Sequence, residues 1–282
     1  MKRDVIRRKS IELKTSAEHE ADSREGGVQS VDRALSIIET LAEDDEGYRL
    51  SDLAIRTGLS TSTVHRLLTT LESRRFVQFD RSESKWHVGA RSFTVGATFA
   101  RRRNFTAQAI PYLRKLRDLT RETANLAVVD DEFIVVLTRM ESREIMRSLT
   151  KVGGRVAMVA SGVGKAVLAT YSDDDVGAII RHHGMPRLTE KSIVRPSDLF
   201  RELERVRRQG YAVDDEEACM GLRCIAAVVY NDCSEPLAAI SVSGMTSRLT
   251  DDRLAALGQT VREVAAELTV ALGGVMPRTM PA

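Results

Sequence analysis

Residues 50–72, LSDLAIRTGLSTSTVHRLLTTLE, contain two short helical patterns on either side of a glycine. Ser51 is a candidate N-cap for the first helix, and Gly58 is placed to end it as the left-handed residue after the last turn. Ser60 follows closely and can cap the second helix. Two helices joined through a glycine turn of this length predict a helix-turn-helix.

The second of these helices has one apolar face and one polar face. Apolar residues at helical spacing predict its buried side, which consists of Val64, Leu67, Leu68 and Leu71. The opposite side carries Thr61, Ser62, Thr63, His65, Arg66 and Thr69. Short hydroxyl groups can reach phosphates and base edges, and Arg66 can bind guanine or phosphate through two hydrogen bonds. Because threonine and serine are mediocre helix formers, a recognition helix in a major groove explains their density better than a solvated face does.

Positive charge is concentrated around this helix. The whole chain has a formal charge of only +2, but residues 60–103 hold nine basic and three acidic side chains, a net of +6. Such a block is typical of a surface that docks a phosphate backbone, although a solvated helix face would account for the charge alone. We therefore predict binding to double-stranded DNA, and Arg33, Ser60 and Lys85 join the outer face of the helix as candidate contacts.

The flanking sequence completes a small domain over residues 28–90. Apolar residues ahead of the two helices predict a one-sided helix whose buried face is Val31, Ala34, Leu35, Ile38 and Leu41. After them, FVQF at 76–79 and KWHV at 85–88 flank a polar tip and predict a β-hairpin. A hairpin in this position is the wing of a winged helix-turn-helix, and Trp86 is expected to cover the edge of its core.

The rest of the chain divides into three further segments. Residues 1–27 are mixed in charge and poor in large apolar groups, which predicts a flexible tail. Residues 91–104, which contain a run of arginines at 101–103, predict a linker helix. Residues 105–275 are expected to form a second domain.

The second domain combines helical and strand patterns. Strands are predicted at 125–130, 132–139, 211–214, 222–230 and 237–243, and helices at 172–183, at 197–209 and from Thr250 onward. Pro111 is expected in the first turn of a further helix. Hairpins interleaved with helices predict an α+β, GAF-like fold with a mostly antiparallel sheet.

Composition argues against several classes of protein. No apolar run approaches the ~20 residues of a membrane span, and the first residues are too charged for a signal peptide, so we expect a cytoplasmic protein. The odd number of cysteines (Cys219, Cys224 and Cys233) and their spacing predict free thiols, with no metal site and no cofactor. His182 and His183 end a helix, where they compensate its dipole.

Residues 159–166, VASGVGKA, are similar to several catalytic signatures but match none. The P-loop, the nucleophile elbow and the acyl-serine motif each fail at a required position. The amides of Gly162 and Val163, ahead of a helix expected to start near Gly164, could hold a small anion. A plain turn into a helix explains the stretch equally well.

Six motifs, taken in order, resemble the IclR family of bacterial transcriptional regulators over residues 28–273. They are VDRAL at 31–35, GLS at 58–60 with TVHRLL at 63–68, ASG at 160–162 with GKA at 164–166, GY at 210–211 with DDEE at 214–217, GLRC at 221–224, and AISVSG at 239–244. The last three are most similar to the branch that senses glyoxylate and related small 2-oxo acids.

The resemblance implies a regulator whose operator affinity is controlled by a small 2-oxo acid, with glyoxylate first among them. Residues 105–275 would then bind the effector through the amides of Gly162 and Val163 and the side chains of Asp214, Cys224, Ser241 and Ser243. It also implies a homodimer on a pseudo-palindromic operator that assembles into a homotetramer.

The predicted contacts are chemically coherent. Ser241 and Ser243 share one face of a strand, and Arg223 should point away from the face that Cys224 occupies. Asp214 beside an anion is unfavourable unless it is protonated or accepts a hydrogen bond from a hydrated aldehyde.

Other interpretations remain open. A regulator of the same family could sense an aromatic or other small carboxylic acid, which would require a wider and more apolar pocket. An enzyme acting on a small carbonyl acid would need turnover at Ser161 or Cys224. A purely structural or protein-interaction module would not retain DNA in a sequence-dependent way.

Overall fold

The computed structural model describes residues 27–102, 105–142 and 151–277. The predicted tail, residues 1–27, lies outside this part except for its last residue. The chain divides into two compact units between Phe99 and Ala100, and each unit is described by itself.

The first unit consists of helices followed by a hairpin. Its elements are α1 (Gln29–Ala42), α2 (Leu50–Thr57), α3 (Thr61–Ser73), β1 (Val77–Asp80), β2 (Lys85–Val88) and α4 (Ala90–Arg102), which continues beyond Phe99. Gly58 ends α2 with a φ of 65°, and the hydroxyl of Ser60 caps α3 by accepting the amide of Thr63 at 3.3 Å. The predicted helix-turn-helix is therefore confirmed.

Two local expectations in this unit are wrong. Arg49 rather than Ser51 is the N-cap of α2, because the helix begins at Leu50. In α1, Ile37 is fully buried whereas Val31 and Leu35 are 53% and 52% exposed. Apolar residues occupy two faces of α1, and only the face with Ile37 and Leu41 packs into the core of its own unit.

The hairpin follows α3 directly. Strands β1 and β2 pair antiparallel from Val77 opposite Val88 to Asp80 opposite Lys85. Asp80 closes the tip, because its Oδ1 accepts the amide of Ser82 at 2.7 Å. Trp86 is 6% exposed and packs into the small core, as expected.

The second unit is built on one antiparallel sheet. Its elements are α5 (Phe105–Thr120), β3 (Thr123–Asp130), β4 (Phe133–Met140), β5 (Arg155–Ala157), a 3₁₀ turn (Met158–Ala160), α6 (Gly162–Leu168), α7 (Asp173–His183), α8 (Pro196–Gln209), β6 (Ala212–Asp215), β7 (Leu222–Tyr230), β8 (Pro236–Met245) and α9 (Asp251–Ala271). The strand order is β5-β4-β3-β8-β7-β6, with every neighbouring pair antiparallel. This confirms the predicted α+β class.

Helices cover both faces of the sheet, so each face has its own core. Leu126 and Val128 of β3 pack with α5 and α9, whereas Ala127 between them packs with α6, α7 and α8. The alternation follows from the two-residue period of a strand. The core that contains Ala127 and α6 positions the N-terminus of α6 over the sheet.

The α5 helix begins earlier than predicted, and β5 was missed. Pro111 therefore lies inside α5 rather than in its first turn. Proline there provides no amide for the preceding turn. The helix nevertheless continues because a buried face that includes Phe105, Ala109 and Leu113 packs against the sheet.

Candidate functional site

Four adjacent strands place polar side chains on one face of the sheet. Asp214 of β6 lies opposite Cys224 of β7, and Cys224 lies opposite Ser243 of β8. Asn125 of β3 lies opposite Ser241 of β8. Because paired residues of antiparallel strands point to the same face, these side chains form one polar surface.

A cavity of about 110 Å³ lies over this surface. All the residues predicted as ligand contacts line it, namely Gly162, Val163, Asp214, Cys224, Ser241 and Ser243. Its apolar wall includes Ala127, Ile134, Val136 and Val156. The cavity therefore pairs hydrogen-bonding groups on one side with a hydrocarbon surface on the other.

The N-terminus of α6 closes one side of the cavity. This helix begins at Gly162 instead of near Gly164, and the hydroxyl of Ser161 caps it by accepting the amide of Gly164 at 3.0 Å. The amides of Gly162 and Val163 have no acceptor inside the helix. A Cβ atom on Gly162 would lie 3.0 Å from the carbonyl oxygen of Cys224, so glycine allows α6 to approach β7 this closely.

Asp214 is a buried carboxylate, 6% exposed, at the edge of the cavity. Its Oδ1 accepts the amide of Glu217 at 2.8 Å. Burial, followed by the negative charge of Glu217, raises the pKa of Asp214 from 3.8 to about 6, while Lys165 opposes the shift. Asp214 can therefore accept a hydrogen bond from a ligand, and it binds a proton more readily than an exposed aspartate does.

Lys165 lies behind Asp214 and was not predicted as part of the site. Its side chain is fully buried, and its Nζ donates to the carbonyl oxygen of Val213 at 2.6 Å and contacts Oε1 of Glu217. Nζ is also 3.4 Å from Oε1 of Glu202. A charged residue within the otherwise apolar GVGKAVL helix was the available sequence signal.

The thiol of Cys224 is neutral at physiological pH. Burial, followed by the charge of Asp214, raises the pKa of Cys224 from 9.0 to about 11, and hydrogen bonds to Ser243 and Ser241 oppose this rise. Only a thiolate is an effective nucleophile. Cys224 is thus suited to polar contact with a ligand and unsuited to covalent catalysis.

Arg223 points to the opposite face of the sheet from Cys224. Its guanidinium group binds Oδ1 of Asp215 at 2.5 Å, the carbonyl oxygen of Leu249 at 2.6 Å and Oδ1 of Asp251 at 2.6 Å. The strand register pairs Arg223 directly with Asp215. The predicted orientation is confirmed, although Arg223 also borders the cavity.

Asn125 is a further polar residue of the cavity that sequence reasoning missed. Its Nδ2 donates to the hydroxyl oxygens of Ser243 at 3.3 Å and Ser241 at 3.4 Å. An asparagine between apolar residues of a strand was the only signal, and it did not reveal which strand lies beside it. The pairing of β3 with β8 supplies that information.

The first unit presents the outer face of α3 to solvent. Thr61, Ser62, His65, Arg66 and Thr69 are exposed, as predicted. Among the other candidate contacts, Ser60 is exposed, whereas Thr63, Arg33 and Lys85 are partly buried. The hydroxyl of Thr63 lies 2.8 Å from that of Ser60, and Lys85 pairs with Glu83 at 3.2 Å.

A surface cleft with a volume of about 650 Å³ is lined by residues of α3, the hairpin and the start of α2. It brings His65 and Thr69 of α3 together with Arg81 of the hairpin tip and Arg49 ahead of α2. Arg49 and Arg81 were not among the predicted contacts. Arg81 lies within the basic block, but only the fold places it beside α3.

A helix-turn-helix with an exposed hydroxyl and arginine face, followed by a hairpin, defines the class of DNA-binding transcriptional regulators. The IclR helix-turn-helix domain model matches residues 30–81, and the model described as bacterial transcriptional regulator IclR C-terminal matches residues 97–270. The chain belongs to the IclR family. It is a transcriptional regulator and not an enzyme.

Similar proteins share most of the length of the chain. The acetate operon repressor of Salmonella typhimurium is 41% identical over 88% of this chain and 92% of its own length. The HTH-type transcriptional regulator BhcR of Paracoccus denitrificans is 39% identical over 90% of this chain and 89% of its own length. The crystal structure of an IclR transcriptional regulator from Alicyclobacillus acidocaldarius has a TM-score of 0.74 at 25% identity, and the match covers 88% of this chain and 100% of that one.

Within residues 27–102, 105–142 and 151–277, no helix combines the length and the apolar character needed to cross a bilayer.

Proposed function

We propose that a small 2-oxo acid, with glyoxylate as the first candidate, binds in the cavity and controls the affinity of this regulator for its operator. In this proposal residues 28–90 bind DNA, residues 91–104 are the linker, and residues 105–275 bind the effector. One observation carries the effector assignment: amide, hydroxyl, thiol and carboxyl groups converge on a cavity of only about 110 Å³.

Each group of a hydrated 2-oxo acid has a complementary partner. Its carboxylate is placed against the amides of Gly162 and Val163, where a helix N-terminus favours negative charge. Its geminal hydroxyls donate to Asp214 and exchange hydrogen bonds with Ser241 and Ser243. Asp214 is largely a carboxylate near neutral pH, but because its pKa is raised to about 6 it takes up a proton beside a bound anion more readily than an ordinary aspartate does, which limits their repulsion.

Cavity size favours a small acid over an aromatic one. Sites for drug-sized ligands typically enclose roughly 300–1,000 Å³. The cavity here is well below that range. An aromatic acid would have to displace the apolar wall at Ile134 and Val136. The titration described below therefore includes an aromatic acid.

DNA recognition is assigned to α3 and the hairpin. The exposed side chains of α3 are placed in the major groove, with Arg66 on guanine or phosphate. Ser60 and Thr63 already bind each other, so they are best suited to order the N-terminus of α3 next to a phosphate. Arg33 and Lys85 complete the set as contacts to the flanking backbone.

A homodimer that assembles into a homotetramer is the proposed assembly. Val31 and Leu35 lie on one side of α1 and are 53% and 52% exposed, and Val28, the residue just before the helix, is 64% exposed. Exposed apolar surface of this kind is typical of interaction sites, and a second copy would also double the operator contacts. Sedimentation of the Leu35→Glu variant should show a smaller assembly than that of the wild type.

Calorimetric titration of the full-length protein with glyoxylate, pyruvate, glycolate and protocatechuate tests the effector. We expect the tightest binding for glyoxylate, and we expect the same acid to change the gel shift of the upstream intergenic DNA. Tighter binding of protocatechuate, or glyoxylate binding without any effect on DNA affinity, would contradict the proposal. The second condition follows because an effector acts only through different affinities for the two states.

A further inference from the structure

Glu132, His182 and His183 form a cluster on the second unit that is separate from the effector cavity. Glu132 lies in the turn between β3 and β4, and the two histidines form the end of α7. Nδ1 of His182 is 2.7 Å from Oε2 of Glu132, and Nε2 of His183 contacts the same oxygen. One potential ligand atom from each residue lies within 4.8 Å of the other two.

An ion pair alone leaves this arrangement incompletely satisfied. Within the described residues, the buried Nε2 of His183 contacts Oε2 of Glu132, the oxygen that also faces Nδ1 of His182, and this contact does not have the geometry of a hydrogen bond. Two imidazole nitrogens therefore converge on one carboxylate oxygen. A cation held between the two nitrogens and the oxygen would satisfy all three atoms.

We propose that Glu132, His182 and His183 bind a divalent transition-metal ion, with Zn²⁺ as the first candidate. Two imidazole nitrogens and one carboxylate oxygen are a ligand set that zinc uses when a solvent molecule occupies its fourth position. Calcium and magnesium prefer oxygen ligands throughout, so the two histidines disfavour them. The side chain of His182 is 64% exposed, which gives solvent access to the fourth position.

The neighbouring residues support this assignment. The ring of Phe133 meets that of His183 edge to face, with centroids 5.0 Å apart, and restricts its orientation. Arg155 stacks on Phe133, with its guanidinium carbon 4.2 Å from the ring centroid. These ring contacts limit the orientations open to the imidazole of His183.

A metal ion here would link the β3–β4 turn to α7. Glu132 precedes β4, on which Ile134 lines the effector cavity. Cross-linking the turn to α7 stabilises the folded state to the extent that the unfolded chain does not bind the ion. The inference is independent of the identity of the effector.

Zinc titration of the metal-free, full-length protein tests the site, with any affinity tag removed and a chromophoric chelator as the competitor. We expect wild type to bind one ion per chain, and His183→Ala and Glu132→Gln to weaken binding by at least roughly tenfold, the lower end of the loss caused by removing even an outer partner. His87→Ala and Glu204→Gln change the same residue types elsewhere and should bind as wild type does. Glu132→Gln preserves shape, so it remains informative if the histidine variant folds poorly.

Cobalt substitution gives a second readout. Nitrogen and oxygen ligands should produce visible d–d bands without the near-ultraviolet charge-transfer band of a thiolate. The proposal is overturned if Glu132→Gln and His183→Ala bind zinc as wild type does, if Cys224→Ser abolishes binding, or if wild type binds no zinc. A thiolate band in the cobalt spectrum would equally overturn it.

Discussion

Asp214 of β6 and Cys224 of β7 occupy directly opposed positions in the sheet and face the same cavity. Burial raises the pKa of both groups, to about 6 for the carboxyl and about 11 for the thiol. Negative charge on Asp214 further disfavours ionisation of Cys224. Near neutral pH the pair therefore offers one carboxylate acceptor and one neutral thiol.

Substitution of Asp214 by asparagine should weaken glyoxylate binding. The variant keeps the shape of the side chain but loses a charged acceptor, and hydrogen bonds to charged groups contribute about 1.5–3 kcal/mol. Calorimetry should show this loss in Asp214→Asn and wild-type affinity in Asp252→Asn, whose side chain is exposed on α9. Equal affinity in all three proteins would rule out a contact between Asp214 and the ligand.

The same substitution should change how stability depends on pH. The folded-state pKa of Asp214 is raised from 3.8 to about 6, so the folded state binds the proton more tightly than the unfolded state does. The contribution of Asp214 to the free energy of unfolding is therefore most favourable below about pH 4 and falls as the pH rises through about 6. Asp214→Asn should be more stable than wild type near pH 8, by up to about 3 kcal/mol, and the difference should shrink near pH 4.

Urea unfolding of the ligand-free proteins at both pH values measures this effect. Asp252→Asn again serves as the control and should follow wild type. A variant that loses stability near pH 8 would show that the acceptor role of Asp214 toward Glu217 outweighs its burial.

Replacing Lys165 by methionine should destabilise the second unit. The change leaves Glu217 without its cation, whereas Glu202 keeps its ion pair with Arg205, and removing one partner of a buried ion pair typically costs about 3–5 kcal/mol. Adding Glu217→Gln to Lys165→Met should restore part of the loss, because the unpaired buried charge is then removed. Urea unfolding should rank wild type as the most stable, the double variant next and Lys165→Met last. A double variant less stable than Lys165→Met would contradict this prediction.

Replacing Arg66 should weaken operator binding and leave the affinity for the effector unchanged. Arg66→Ala is expected to weaken binding by about 1–3 kcal/mol in gel shifts at fixed salt concentration. Arg208→Ala removes another exposed arginine, from α8 on the other unit, and should bind DNA as wild type does. Unchanged operator affinity in Arg66→Ala would rule out a stabilising contact between Arg66 and the operator.

Local interactions made much of the fold predictable from the sequence. Gly58 and Ser60 act within one or two turns of their own position, so the helix-turn-helix followed from them directly. The polar face of α3 and the shared face of Ser241 and Ser243 depend only on the periods of a helix and a strand. These inferences hold because the interacting groups are neighbours along the chain.

Only the tertiary structure decided which distant groups meet. Packing buries the face of α1 that carries Ile37 and keeps α5 helical around Pro111. Strand pairing places Asn125 beside the serines of β8. Packing also brought Glu132 to the histidines at the end of α7, a meeting that the dipole interpretation of those histidines did not anticipate. Strand pairing and core burial connect residues far apart in sequence, and their free energy depends on the whole arrangement rather than on any local pattern.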